Sequence, residues 1–486
     1  MCNNGKNCRS NGRSRRSGIK MGNLYQKLEK YSKKDIVPLH MPGHKRNTKM
    51  LGTQLPYNID ITEIDGFDDL HHADGIIKNI QEKAQKIYNA KKSFLLINGT
   101  TCGILAGIRS FVKKNDKVLV ARNCHKSVYH AIELNELKPI YVMPKTNEDG
   151  INLGITPKEV KNKIKENPDV KLVVLTSPTY EGIISNIKEI VKICHENKIP
   201  VLIDEAHGAH LKFMNKTKEL SAVDAGADIV VQSVHKTLPA LTQTSLLHIN
   251  GNMVNEEKLK HELSIFETSS PSYILMASIE NCLDFLQQNE NMFEKYEENL
   301  EYFYSKTKEI KKLEILKNKL TDQYFDDGKI VIITTKTNIT GKELSEILRK
   351  KYKIELEMSS VNYAIAMTSV CDSKENVERL INALIDIDAK LEIQKMPKYE
   401  FENILPIISK SIYEAEKEDK FVKIDYRKVE GRISKEYMWV YPPGIPIITP
   451  GEIISKDIIN LLEQISEAGL EIRTDNGTFP EVLLLE

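Results

Sequence analysis

The chain has almost no net charge. Its 486 residues include 69 basic and 68 acidic side chains, leaving a formal +1. That balance gives no pull toward nucleic acid or an anionic membrane surface. Long hydrophobic runs are missing too, and none approaches the roughly 18–20 residues of a membrane-spanning helix. Cysteine is scarce and scattered, at positions 2, 8, 102, 124, 194, 282 and 371. An odd, unclustered set argues against a disulfide framework and for a reducing, cytoplasmic compartment. Cys2 and Cys8 have no second pair at finger spacing, so no closed metal site is expected. The first twenty residues hold no acid and no apolar stretch, so they are not expected to act as a secretory signal. They do hold Lys6, Arg9, Arg13, Arg15, Arg16 and Lys20. The plain reading is a disordered basic tail over 1–22. An alternative is that translation begins at Met21, just before Asn23-Leu-Tyr25, where helical patterning starts.

What is present is an ordinary globular composition, 41% hydrophobic and 28% charged, on a chain long enough for two to four domains. Apolar runs at Ser93–Ile97, Lys117–Val120, Lys171–Leu175 and Pro200–Ile203 read as buried parallel strands. Helical patterns separate them, for example Asn186–Glu196. This alternation predicts an α/β domain with a mainly parallel sheet. Asp228–Val231 adds a strand, and Ser245–Ile249 is expected to pair antiparallel beside it. A long charged helix is predicted from about 278 to 312. A smaller α+β unit follows, with strands Lys329–Thr334 and Tyr363–Met367 and helices Thr340–Lys350 and Ser373–Glu392. Turn-rich Tyr441–Pro446 and Thr449–Gly451 belong to a third unit. The expected division is an N-terminal arm over 23–60, a large domain over 61–295, a small domain over 296–395 and a C-terminal domain over 396–486.

Three points in the α/β region suit one ligand. Asn98-Gly-Thr-Thr-Cys-Gly103 follows a strand and opens a helix, where small residues let backbone N–H groups and hydroxyls approach a phosphate. An ordinary strand-to-helix turn reads the same way. Asp204 ends the run Val201-Leu-Ile-Asp204, where α/β sheets place ligands. A charge there needs a cationic partner, and a protonated pyridine nitrogen is one; a helix N-cap is the bland alternative. Ser233-Val-His-Lys236 lies 32 residues past Asp204, one βα-type unit plus a strand. Partial burial lowers a lysine's pKa and makes it nucleophilic, whereas a lone lysine is usually a solvated surface group.

These segments resemble the phosphate, pyridine and Schiff-base positions of fold-type I pyridoxal 5'-phosphate (PLP) enzymes, which have a transferase-like α/β fold. More specifically, the chain resembles the ornithine/lysine/arginine decarboxylase family in its short form, without an N-terminal receiver-like domain. The resemblance runs through Pro38-Leu-His-Met-Pro-Gly-His-Lys45, Asp68-Asp-Leu-His-His-Ala-Asp-Gly75 and Arg122-Asn-Cys-His-Lys-Ser127. It continues through Ser177-Pro-Thr-Tyr180, Thr268-Ser-Ser-Pro-Ser-Tyr273 and Tyr441-Pro-Pro-Gly-Ile-Pro446. It implies PLP bound as a Schiff base to Lys236, with Asp204 on the pyridine nitrogen and His125 stacked on the ring. Gly99, Thr100, Thr101, Ser233 and His235 fall at the phosphate side, and His207 beside the pyridine. Catalysis falls to Lys236, His125, Asp204 and His235. Ser269 and Ser270 resemble residues lent by a partner subunit, which implies a homodimer or higher homo-oligomer. Glu357 resembles an acid at the substrate end, with Glu355 a second candidate. The implied reaction is decarboxylation of a basic amino acid: arginine to agmatine first, then lysine to cadaverine, then ornithine to putrescine.

Other signals have simpler readings. His207 and His210, at i and i+3, lack a third matched ligand for a metal. His71-His72 reads as packing or helix entry. Cys102 and Cys124 read as small buried residues, and Glu294–Glu301 as a solvated helix face. Among enzymes the runner-up is another fold-type I reaction, such as transamination or aldol-type cleavage. An aminotransferase would normally show a late carboxylate-binding arginine, and Arg432 is the lone candidate. A different class is an inactive PLP-binding regulator, against which Lys236, Asp204 and His125 argue.

Overall fold

The apolar runs become strands because both faces of a parallel sheet are covered and no polar alternation is needed. The structure, a computed structural model, describes residues 35, 37–39, 50, 67–289, 291–321, 323–394, 404–440 and 444–486. The basic tail, most of the expected N-terminal arm, the segment 40–45, Cys2 and Cys8, and residues 441–443 lie outside these.

Seven strands form the main sheet: β1 (Lys92–Leu96), β2 (Lys117–Ala121), β3 (Lys138–Val142), β4 (Val170–Thr176), β5 (Val201–Asp204), β6 (Ile229–Ser233) and β7 (Ser245–Ile249). Their order is β1-β7-β6-β5-β4-β2-β3. The pairs from β6 to β3 are all parallel. β7 is antiparallel to β6, as its sequence position suggested, and also to β1. The Ser93–Ile97 run was expected in a parallel pairing. It forms β1 at the sheet edge with β7 as its neighbour, because β7 inserts between β1 and the parallel strands.

Helices Gly99–Phe111, Lys126–Leu134, Pro157–Glu166 and Ile187–Glu196 connect and cover the strands. The predicted helix over 278–312 is two helices, Tyr273–Gln288 and Asn291–Lys306. Ser272 caps the first, and Asn289 leaves helical geometry at its end. A four-stranded antiparallel sheet follows: Glu314–Ile315, Lys329–Ile333, Tyr363–Met367 and Met358–Ser359, in that spatial order. Helix Lys374–Lys390 contributes to the core beneath it. The short strand Val37–Leu39 pairs with Ile354–Leu356. The last segment has its own core around helix Lys456–Glu467 and strands Met438–Val440, Ile445–Ile448 and Ile472–Thr474. Arg122, buried, ties it to the main sheet by donating to the carbonyls of Pro446 (2.7 Å) and Ile447 (3.1 Å) and to Glu452 (3.2 Å). The five described cysteines are buried, and none is in a disulfide. Among the described residues no helix is long and apolar enough to cross a membrane.

Candidate active site

Parallel strands end together, so residues at their carboxyl ends meet in one place. Thr176 of β4 sits in register with Asp204 of β5, and Asp204 with Val231 of β6. Two residues past Val231, β6 ends at Ser233 and a single helical turn, Val234–Thr237, carries Lys236. Beside them, the helix Gly99–Phe111 begins directly after β1. Gly99 has φ +73°, a backbone region glycine enters freely, and nothing stands within 4 Å of where a Cβ would lie. The hydroxyls of Ser233 and Thr100 are 3.3 Å apart. Thr101 is exposed.

Asp204 is 3% exposed, and its carboxylate accepts from the Ala206 N–H at 3.1 Å. Burial pushes its carboxyl above the usual range, and the Lys236 charge and the Ala206 bond pull the other way. Burial lowers Lys236, which Asp204 and Glu357 partly counter. The Lys236 Nζ lies 3.0 Å from His207 Nε2. His207 is held well below the ordinary histidine range by burial and then by the Lys236 and Lys329 charges. His125 is held down to about 3, by burial first and then by Lys236. Both imidazoles are therefore neutral near pH 7. His125 caps helix Lys126–Leu134: its Nδ1 accepts from the Ser127 N–H at 3.2 Å, and Ser127 Oγ is 2.9 Å away. The proton of this neutral ring consequently sits on Nε2. His235 donates from Nδ1 to the Thr244 carbonyl at 2.8 Å.

Around this group stand residues to which the sequence reading gave no role. Tyr180 donates to Glu357 Oε1 at 2.6 Å, and its ring meets His207 at 4.7 Å between centroids. Lys329, 1% exposed, places Nζ 2.7 Å from His207 Nδ1. Its sequence context carries no signal of this, since lysines that are not buried open the apolar strands at Lys92, Lys117 and Lys138. Glu357 is coupled electrically to Lys236, whereas Glu355 faces Arg349 at 3.6 Å. His210 pairs with Asp326 at 3.0 Å rather than with His207. Ser269 and Ser270 are exposed, and among the described residues no hydrogen bond ties them to Lys236.

The donor set fits PLP. A buried carboxylate, a lysine with a lowered pKa, a neutral imidazole and an open, hydroxyl-bearing helix start meet at the ends of parallel strands. Fold and site together define a fold-type I PLP enzyme. The sequence comparisons narrow the class. The Orn/Lys/Arg decarboxylase major domain matches residues 22–359, and the C-terminal domain of the same family matches 401–472. An arginine decarboxylase from Bacillus subtilis (strain 168) is 33% identical over 470 residues, covering 93% of this chain and 94% of that protein. One from Bacillus anthracis is 34% identical over 475 residues, covering 93% and 94%. The crystal structure of a Francisella novicida lysine decarboxylase superposes with a TM-score of 0.76 at 22% identity, covering 95% of this chain and 81% of that one. The chain belongs to the Orn/Lys/Arg decarboxylase family of PLP-dependent carboxy-lyases, and is a basic amino acid decarboxylase.

Proposed function

We propose that the chain converts arginine to agmatine and CO2, with lysine and then ornithine as the next candidates for the substrate, and that Lys236 carries the cofactor. The observation that supports arginine is the near full-length similarity to Bacillus arginine decarboxylases. When bound, PLP supplies an electron sink for the breaking bond between Cα and the carboxylate. The chain's own residues do the rest. Asp204 keeps the pyridine nitrogen protonated, and its burial makes that charge pair strong. His125 covers one ring face as a neutral imidazole held by Ser127. Gly99, Thr100, Thr101, Ser233 and His235 hold the phosphate, and His207 lines the pocket. Glu357, steadied by Tyr180, receives the basic end of the substrate. Lys236 or a neighbouring histidine returns a proton to Cα. Ser269 and Ser270 serve the site of a partner in a homodimer. The buried cysteines, none of them in a disulfide, support a reducing, cytoplasmic setting.

The test is CO2 release from arginine, lysine and ornithine measured in parallel, with Lys236→Ala as control. Arginine should give the highest kcat/KM, and Lys236→Ala should lose both turnover and the visible absorbance of the bound cofactor. A preference for lysine or ornithine overturns the substrate assignment. Retained absorbance in Lys236→Ala overturns the role of the lysine.

A further inference from the structure

Lys329 is a buried cation from the small sheet, and it reaches into the site through a gap made for it. A Cβ on Gly182 would stand 2.7 Å from the Lys329 Cβ, and Gly182 holds φ +102°. Only glycine lets the lysine stem pass here. The ammonium lies 5.2 Å over the Tyr180 ring and donates to Met367 Sδ at 3.1 Å. Its remaining partner is His207 Nδ1, at 2.7 Å. The other nitrogen of that same ring is 3.0 Å from Lys236 Nζ. One imidazole thus bridges two lysine amines.

The bridge has a defined polarity. A neutral imidazole carries one N–H, and an ammonium can only donate. If Lys329 is charged, His207 Nδ1 must accept. Its proton then sits on Nε2 and points at Lys236, which must accept in turn with a free lone pair. The opposite arrangement puts the charge on Lys236. Burial and the like charge of Lys236 lower the Lys329 pKa to about 8, while Asp326, Glu357 and Glu181 raise it; the Tyr180 ring and Met367 Sδ occupy the rest of an ammonium's donors, and Lys236 has no such pair among the described residues. Lys236 has Asp204 and Glu357. In the reading above, a bound cofactor commits Asp204 to the pyridine nitrogen, so once the substrate amine has displaced Lys236 the freed amine keeps only Glu357 of the two. The other groups facing His207 are His235 and His125.

We propose that Lys329 is a positioning residue: it holds the proton of the Lys329–His207–Lys236 chain, fixes His207 as its Nε2–H tautomer, and keeps Lys236 a free amine. This rests on Lys236 being the cofactor lysine, but the tautomer of His207 can be read without that assumption. The experiment uses the full-length chain in two measurements. In the wild type, 15N shifts of labelled histidine, assigned with His207→Gln, should report Nε2–H for His207. In Lys329→Met, which keeps the stem against Gly182, that tautomer should be lost. Cofactor is then stripped and PLP added back. The return of visible absorbance should be about tenfold slower near pH 7 in the variant, with its midpoint about one pH unit higher, because removing a like charge raises the Lys236 pKa.

Nδ1–H on His207 in the wild type overturns the proposal. So does an unchanged pH midpoint in a Lys329→Met protein whose melting temperature matches wild type. If that variant does not fold, the wild-type tautomer decides alone: Nε2–H supports the proposal and Nδ1–H overturns it. Absorbance regained by Lys236→Ala removes the cofactor-lysine reading instead, and leaves the tautomer result standing.

Discussion

Glu357→Gln isolates the charge that the substrate's basic end is expected to meet. Glutamine keeps the length of the side chain and an oxygen to accept the Tyr180 hydroxyl, which lies 2.6 Å from Glu357 Oε1. The change therefore removes charge with little loss of shape. A hydrogen bond to a charged group contributes about 1.5–3 kcal/mol. Glu357 is only partly buried, so solvent screening favours the lower half of that range. At 1.4 kcal/mol per decade this is a loss of roughly 10- to 40-fold in kcat/KM. The distal charge is far from the bond that breaks and is the same in ground and transition states. The loss should accordingly fall on KM and leave kcat nearly unchanged. Glu355→Gln is the matched control. Glu355 faces Arg349 at 3.6 Å, so its removal should leave kcat/KM for arginine within about twofold. Initial rates of CO2 release across an arginine series measure both. A wild-type KM in Glu357→Gln, or an equal loss in Glu355→Gln, would refute the placement of the substrate's basic end.

Three further outcomes are expected. Asp204→Asn keeps the shape and removes a charge buried to 3% exposure, so kcat should fall by about 10²-fold; near wild-type turnover with saturating PLP would reduce Asp204 to a cap. Burial pushes the Glu205 carboxyl up to about 8 from 4.5, so the folded chain binds a proton there that the unfolded chain does not. The contribution of Glu205 to stability is then present below pH 4.5 and lost as pH rises toward 8, by at most about 1.4 kcal/mol per unit. Urea midpoints from pH 5 to 8 should fall less steeply in Glu205→Gln, and parallel slopes would contradict this. Finally, mixing inactive Lys236→Ala chains with inactive chains altered at both Ser269 and Ser270 should restore up to about a quarter of wild-type activity, since half of the dimers are mixed and each has one intact site. No recovery despite proven subunit exchange would mean that each chain builds its site alone.

Asp204 and Lys236 were legible in the sequence because both follow apolar strands, and parallel strands bring their carboxyl ends together wherever they lie in the chain. What the strands cannot announce is their neighbour. The Ser93–Ile97 run is as apolar as the others, yet β1 pairs antiparallel at the edge, since a buried run carries no mark of the direction of its partner. The two glutamates show the same limit at the scale of one side chain. Glu355 and Glu357 are two apart and would share a face in a continuous strand. The strand Ile354–Leu356 pairs with Val37–Leu39, and the next, Met358–Ser359, pairs with Tyr363–Met367, so the two glutamates flank a change of partner strand. Glu357 takes the Tyr180 hydroxyl while Glu355 faces Arg349, a difference that the spacing of the two residues does not announce.

Lys329 is the extreme case. A lysine at a strand start is ordinarily solvated, and nothing near it in sequence predicts otherwise. Its burial depends on Gly182, on the Tyr180 ring and on His207, which stand 122 or more residues away along the chain. A buried ammonium is tolerable only where acceptors are already fixed. Such a residue is therefore set by contacts that exist only after folding, while the strand-end residues are set by topology that the apolar pattern already implies. The division of labour follows: the groups proposed to hold the cofactor sit at strand and helix ends of the large sheet, and the cation proposed to tune them comes from the small one.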